Sequence, residues 1–400
     1  MSQSTISPAP LSIRQTIREL LQQRITETVE TVVEEELTEL LGSSRYERTG
    51  ERQGYRNGRI VRRITTETGP RELTLPRARV VDETGRTTEF RSAIIPSYSR
   101  RTKAVDDAIL GVYLAGGNSR RIRKALAPLL GTANLSKSAI SRVVGRLKAQ
   151  FATWCERDLS EEVYQILILD AIHLKVRLAR RVVSVPVLVV IGVDEAGNKR
   201  LLALRLAVSE AATNWGGLIE DLTRRGLGSP GLLLCDGHKG LRCAIKAWPE
   251  AKVQPCTQHK RENLKAACPA HARPELLRDY AAIIDAASGA AARKAYDAFL
   301  KKWRVHCPAV ARSLEQAGLD ILTFYEFPKP MWRSLRTTNA IENLNREFRR
   351  RTKTQGSFST EDAALTLLFG LVAFGQIRMR KINGHQHVNA IAVPGERAAA

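Results

Sequence analysis

VYQILILD (Val163–Asp170) and GLLLCD (Gly231–Asp236) decide how this chain is read, because each is a nearly continuous apolar run ending in an aspartate. A strand without polar alternation is one buried on both faces. Val182–Gly192 and Leu201–Val208 read as two further strands, with a turn at Glu195–Asn198, and a helix follows from about Ala211 to Leu227. Beyond the second aspartate, Lys239–Trp248 reads as a helix and Ala251–Pro255 as a short strand. Three consecutive strands, then helix, strand, helix and strand, predict an α/β unit built on a mixed sheet.

A charge at the end of an apolar strand must be solvated, paired or metal-bound. Open sheets gather their ligand sites at the carboxyl ends of strands, where Asp170 and Asp236 sit. On neighbouring strands the two carboxylates converge, a geometry suited to Mg²⁺, which takes a few carboxylate oxygens and completes its shell with water and phosphates. A third acid is expected in TTNAIENLNREFRRRTK (Thr337–Lys353). As a helix this segment puts Glu342 on one face with Asn339, Asn345, Arg346 and Arg349. That face serves a metal and flanking DNA phosphates, or it is a solvated, salt-bridged surface; spacing leaves both open.

Composition narrows the partner. The 400 residues carry 63 Lys and Arg against 41 Asp and Glu, a formal net charge of +22. Such a surplus favours a polyanion, since Lys and Arg contacts to phosphates release condensed counterions. Nothing in MSQSTISPAP resembles a signal peptide. The longest apolar runs, Val182–Val193 and Ala363–Phe374, fall short of the roughly 18 to 20 residues of a membrane span. A cytoplasmic protein without membrane contact, its six cysteines reduced, is expected.

Upstream of the strands, Leu11–Leu41 has the spacing of one long amphipathic helix stopped by Gly42, and residues 1–42 read as one segment. Residues 43–104 are rich in Arg, Gly and Thr, with β-prone pieces at Arg59–Thr66 and Glu72–Leu75. Within them GYRNGR (Gly54–Arg59) reads as a turn whose Arg56 tracks a phosphate backbone, or as a basic loop with no ligand; composition leaves both open. Residues 105–158 read as helical and helix-turn-helix-like. Ser119 would cap one helix with Ile122, Ala125, Leu126 and Leu129 inward, ending at Gly131. Ser136 would cap a second with Ile140, Val143 and Leu147 inward and Lys137, Arg142 and Arg146 outward. From Gln258 to about Phe324 the chain reads helical throughout, a helix pair covers Thr338–Lys353 and Thr360–Met379, and residues 384–400 read as a disordered tail.

Several stretches carry a resemblance. GYRNG at Gly54, LDAIHLKVR around Asp170, LLLCDGHKGL around Asp236, QPCTQHKREN from Gln254 and TTNAIENLNREFRRRTK around Glu342 occur in the order found in mutator-type bacterial insertion-sequence transposases, a branch of the Asp-Asp-Glu transposases. The resemblance implies a ribonuclease H-like catalytic core over 159–257 and 336–383, an all-α insertion over 258–335, and Asp170, Asp236 and Glu342 as catalytic, metal-holding triad. It implies Mg²⁺ as cofactor with Mn²⁺ as substitute. The expected partner is double-stranded DNA, both the element's terminal inverted repeats and the target, bound by a homodimer that transfers strands between element ends.

The resemblance also matches Cys256 and His259 to a Cys-x-x-His placed near the active site. Cys268 and His271 repeat that spacing, but the helical KRENLKAA between the pairs argues against a four-ligand zinc site. Arg56, Lys137, Arg142, Arg146, Lys239, His259, Trp332, Arg346, Arg349, Arg350, Arg351 and Lys353 are the expected DNA contacts. His173 and His238 read as core or rim residues, and Asp194 and Glu210 as turn and cap residues.

Overall fold

The computed structural model describes residues 11–47, 49–50, 52–81, 85–130, 135–178, 181–207, 209, 211–236, 245–352, 358 and 360–394. His238, Lys239, Glu210, Gly131, Lys353 and most of the expected Lys239–Trp248 helix lie outside them, as do residues 395–400. The chain divides into two compact units, Met1–Gly145 and Arg146–Ala400.

In the first unit, α1 (Leu11–Leu41) lies on a three-stranded antiparallel sheet of β1 (Gly54–Thr66), β2 (Gly69–Val81) and β3 (Thr87–Glu89), ordered β1-β2-β3. Val33, Leu37 and Leu41 of the helix bury themselves among Ile64, Leu73, Leu75, Ala78 and Val80. Gly42, at φ +62, ends the helix in the left-handed conformation a side chain disfavours. GYRNGR is not a turn. It lies inside β1, where its Gly and Asn serve a register shift between Arg56 and Arg59. The hairpin turns instead at Glu67 and Thr68, held by Thr66, whose hydroxyl donates to the Gly69 carbonyl at 2.9 Å.

Three helices complete that stretch: α2 (Lys103–Leu114), α3 (Ser119–Leu130) and α4 (Lys137–Glu156), the last spanning the boundary between the units. Asn118, not Ser119, caps α3, its Oδ1 accepting from the Arg121 amide at 3.0 Å. Ile122, Leu126 and Leu130 turn inward, while Ala125 is exposed and Leu129 is 52% exposed, against expectation. Ser136 caps α4 as expected, accepting from the Ala139 amide at 3.1 Å, and Ile140, Val143 and Leu147 are buried.

The second unit is built on a five-stranded mixed sheet of β4 (Ile166–Leu178), β5 (Arg181–Val193), β6 (Lys199–Leu206), β7 (Leu232–Cys235) and β8 (Lys252–Pro255), ordered β6-β5-β4-β7-β8. β4–β5 and β5–β6 pair antiparallel. The Glu195–Asn198 turn is present, with Asp194 Oδ1 accepting from the Asn198 amide at 2.8 Å. The crossover through α5 (Ala212–Arg224) brings β7 in parallel beside β4, and β8 pairs parallel to β7. Trp215, Leu218, Ile219 and Leu222 of α5 pack on Leu167, Leu169, Leu188 and Val190 of one sheet face. By the two-residue alternation of a strand, Ile168, Asp170 and Ile172 belong to the opposite face.

After β8 the chain is helical, as the sequence predicts: α6 (Thr257–Ala267), α7 (Arg273–Ile284), α8 (Gly289–His306), α9 (Pro308–Ala317) and the short α10 (Trp332–Leu335). Tyr280, Ile283, Phe299, Trp303, Leu314 and Phe324 are buried among them. The chain then returns to the sheet in α11 (Asn339–Thr352) and α12 (Glu361–Ala373), both of which contact β4. Phe358, between them, is hydrogen-bonded beside β4, its carbonyl accepting from the Arg177 amide at 2.9 Å. The expected disordered tail begins too early. Residues 384–394 are placed, with Val388, Ile391 and Val393 buried, because three apolar side chains in a short span reward packing. Among the described residues no helix is long and apolar enough to cross a membrane.

Candidate active site

The pairing register of β4 and β7 runs from Ile166 beside Leu232 to Leu169 beside Cys235. Asp170 and Asp236 are the next residue on each strand, so they stand side by side where β7 ends. Asp170 is 7% exposed and accepts the Ala171 amide at 2.8 Å. Burial pushes its carboxyl up to about 7; His259 and the Ala171 amide pull the other way, while the charges of Asp236 and Glu342 add to the rise.

His259 approaches from the first turn of α6, the helix that follows β8 directly. Its Nδ1 lies 3.4 Å from Asp236 Oδ1, an ion-pair distance without hydrogen-bond geometry, and that buried nitrogen has no hydrogen-bond partner. The hydrogen bond to Cys256 lifts the imidazole to about 9 against the opposing effect of burial, and the negative charges of Asp236 and Asp170 help. Burial resists ionisation of the Cys256 thiol, but bonds from His259 and Thr338 and the His259 charge bring it below its ordinary value.

Glu342 enters in the first turn of α11, where a negative side chain meets the positive end of the helix dipole. A chain of contacts holds that turn against the sheet. The Cys256 amide donates to the Cys235 carbonyl at 2.6 Å, and Cys256 Sγ accepts from the Thr338 amide at 3.4 Å and hydroxyl at 3.5 Å. The Thr257 amide and hydroxyl both donate to the Arg336 carbonyl at 2.8 Å, and the Thr338 carbonyl accepts from the Glu342 amide at 3.1 Å. Thr338 and Thr257, both buried, escaped the sequence reading. Two threonines ahead of a helix are a capping signal, but nothing in the sequence pairs them with a cysteine some eighty positions earlier.

The three acids thus share one end of the sheet, near enough for Asp236 and Glu342 to act on Asp170. The tightest ligand cluster among the described residues is a different one: Cys256, His259 and Glu342 offer atoms all within 4.8 Å of one another. Cys268 and His271 do not join it. Cys256 and Cys268 cap opposite ends of the 11-residue α6, about 16 Å of helix.

The expected DNA contacts fare unequally. Lys137, Arg142, Arg146, Arg346, Arg349 and Arg350 are exposed. Arg56 is drawn inward, ion-paired with Glu34 and bonded to the Thr38 hydroxyl at 2.8 Å. Arg351 is engaged by Glu347 and by the Gln376 carbonyl at 2.7 Å. Trp332 is half-buried, donating to the Phe327 carbonyl at 2.7 Å and meeting the Tyr325 ring edge-on at 4.7 Å. Internal partners therefore hold these three side chains, because each lies beside an acceptor or ring its own unit supplies.

The family model described as "Transposase, Mutator family" matches residues 3–376. The chain belongs to that family. This transposase is 34% identical over 341 residues to the transposase for insertion sequence element IS406 of Burkholderia multivorans, covering 84% of this chain and 86% of the relative. It is 31% identical over 362 residues to the transposase for IS1081 of Mycobacterium tuberculosis, covering 90% and 86%. It is 29% identical over 334 residues to the transposase for IS256 in transposon Tn4001 of Staphylococcus aureus, covering 83% of each. A solved Drosophila P element transposase strand transfer complex aligns over 74% of this chain and 82% of that one at 10% identity, with a TM-score of 0.28, too loose a likeness to argue from.

Proposed function

We propose that this transposase binds the terminal inverted repeats of its own element and uses Asp170, Asp236 and Glu342 to cut a phosphodiester there and join the freed 3′-hydroxyl to a second strand. The observation that carries the reading is Asp170, a buried carboxyl on an apolar strand whose anionic neighbours are Asp236 and Glu342. A carboxylate so placed is costly unless a cation compensates it. Three oxygen donors at one end of a sheet fit a hard divalent ion, so Mg²⁺ or Mn²⁺ suits them. Strand order β6-β5-β4-β7-β8 with β5 alone reversed supports a ribonuclease H-like core, and the helices over 257–335 support an insertion into it.

Bound at these acids, magnesium supplies charge stabilisation for the attacking and leaving oxygens. The chain's own work is positional. Asp170 and Asp236 are set side by side by the strand register, His259 leans on Asp236, and the Cys256–Thr338 contact sets the height of the Glu342 turn. Arg346 and Arg349, exposed on the same helix as Glu342, are placed for phosphates flanking the scissile bond. Water and then a DNA hydroxyl serve as nucleophiles, so no covalent protein intermediate is called for. Synapsis of two ends requires at least a homodimer.

The test uses paired oligonucleotides carrying the element ends with Mg²⁺. Wild-type protein should yield cleaved and strand-transferred products, while Asp170→Asn, Asp236→Ala and Glu342→Gln lose both but still bind end DNA. Full strand transfer by any of the three variants refutes the triad. Cleavage without joining in the wild type would reduce the reading to a nuclease.

A further inference from the structure

We propose that Cys256, His259 and Glu342 form a second metal site that takes a thiophilic divalent transition-metal ion such as Zn²⁺ or Co²⁺. Their ligand atoms lie within 4.8 Å of one another, and they are the one such group among the described residues. A tetrahedral ion with bonds of about 2.0 to 2.3 Å holds its ligands about 3.3 to 3.8 Å apart. The cluster is therefore up to about 1 to 1.5 Å from closing, and His259 and Glu342, both half-buried, are the members with room to move.

The surroundings are those of a metal ligand set. Thr338 gives Cys256 Sγ two donors, from its amide at 3.4 Å and its hydroxyl at 3.5 Å, the outer bonds that steady a metal-bound thiolate. Asp236 Oδ1 lies 3.4 Å from His259 Nδ1, close enough to attract the imidazole though without hydrogen-bond geometry. One sulfur, one imidazole and one carboxylate suit zinc or cobalt and leave a fourth position open; the sulfur disfavours magnesium, which prefers oxygen. Cys256 and His259 are carried by the β8–α6 junction, and the turn that delivers Glu342 completes the site. Binding releases the thiol proton to solvent and involves no redox step.

Glu342 is shared between this ion and the Asp170–Asp236 pair. On the reading of the previous subsection, and resting on it, zinc opposes magnesium-dependent cleavage by holding Glu342 aside. Binding itself does not depend on that reading.

Titrating the reduced full-length protein with Co²⁺ tests the site. The expected result is a thiolate-to-cobalt charge-transfer band that saturates at one equivalent and is displaced by Zn²⁺ but not by Mg²⁺. Cys256→Ser should abolish the band, Glu342→Gln should weaken Co²⁺ binding at least about tenfold, since even a hydrogen-bond partner of a ligand is worth that much, and Cys268→Ser should change neither. Absence of the band in the wild type, or its survival in Cys256→Ser, overturns the proposal. Should Cys256→Ser fail to fold, unchanged affinity in Glu342→Gln overturns it instead. Asp170→Asn separates the two sites, since it should lose cleavage and keep the cobalt band. A band without zinc inhibition leaves the site standing and counts against Glu342 in cleavage.

Discussion

Cys256 Sγ accepts two hydrogen bonds from Thr338, one from its amide and one from its hydroxyl, and so ties the end of β8 to the first turn of the helix carrying Glu342. Both residues are fully buried. Thr338→Val keeps the shape and the amide bond but removes the hydroxyl donor. It should cost about 1 kcal/mol of stability, the usual worth of one hydrogen bond. Its distinguishing effect is a lower cleavage rate at unchanged end-DNA affinity, with Thr338→Ser restoring the rate. Loss of DNA affinity in step with the rate, measured by fluorescence anisotropy, would refute the positioning role.

The metal-free protein should lose stability as pH rises. Burial lifts Asp170 to about 7 from an unfolded value near 3.9, so its cost is absent below about pH 4, grows between about 4 and 7, and is complete above. The Cys256 bond lifts His259 to about 9, so its contribution is full below about 6.5 and vanishes as pH passes 9. Both trends run the same way. Asp170→Asn, which removes the buried charge, should raise the melting temperature of EDTA-treated protein at pH 8 by about 3 °C or more and leave it nearly unchanged at pH 4. Equal shifts at both pH values in calorimetry would contradict the burial argument.

Proton competition gives Mg²⁺ binding a matching pH dependence. A carboxyl that holds its proton to about 7 must release it to take a cation. Mg²⁺ affinity should therefore climb by up to about tenfold per pH unit below 7 and flatten above it. Isothermal titration from pH 6 to 8 reads this directly, and a flat profile argues against Asp170 as a ligand.

Exposed and internally paired arginines should behave differently. Arg346→Ala and Arg349→Ala should each weaken DNA binding and reduce the salt slope of log K by about 1. Arg56→Ala should leave the slope alone and lower the melting temperature, because Arg56 is spent on Glu34 and Thr38 of α1. A changed salt slope in Arg56→Ala would return that residue to the DNA surface.

Removing residues 385–400 should destabilise the protein rather than trim an idle tail. Val388 and Ile391 are buried, and a β-carbon on Gly231, beside β7, would lie 2.4 Å from the Ala392 carbonyl oxygen. The truncated chain should melt several degrees lower, each kcal/mol being worth about 2 to 4 °C at this size. An unaltered melting curve would show that the packed segment contributes nothing.

The sequence by itself determined most of the elements and marked two of the three acids proposed for the site. Unbroken apolar runs specify β4 and β7, because a strand covered on both faces has no polar positions, and the aspartate that ends each run is legible as a site residue. Helical spacing likewise set α4, α11 and α12. Local rules failed where a distant partner decided the outcome. GYRNGR has the composition of a turn yet is held straight by pairing with β2, Arg56 is claimed by Glu34, and the tail is ordered by apolar contacts outside its own span. Glu342 belongs with these: its helix could be read, its use could not. Only the tertiary structure brings Thr338 onto Cys256, and with it an acid from the far end of the chain to the aspartates of the sheet. Periodicity reports which face of an element is covered; which residue covers it depends on contacts far apart in the chain.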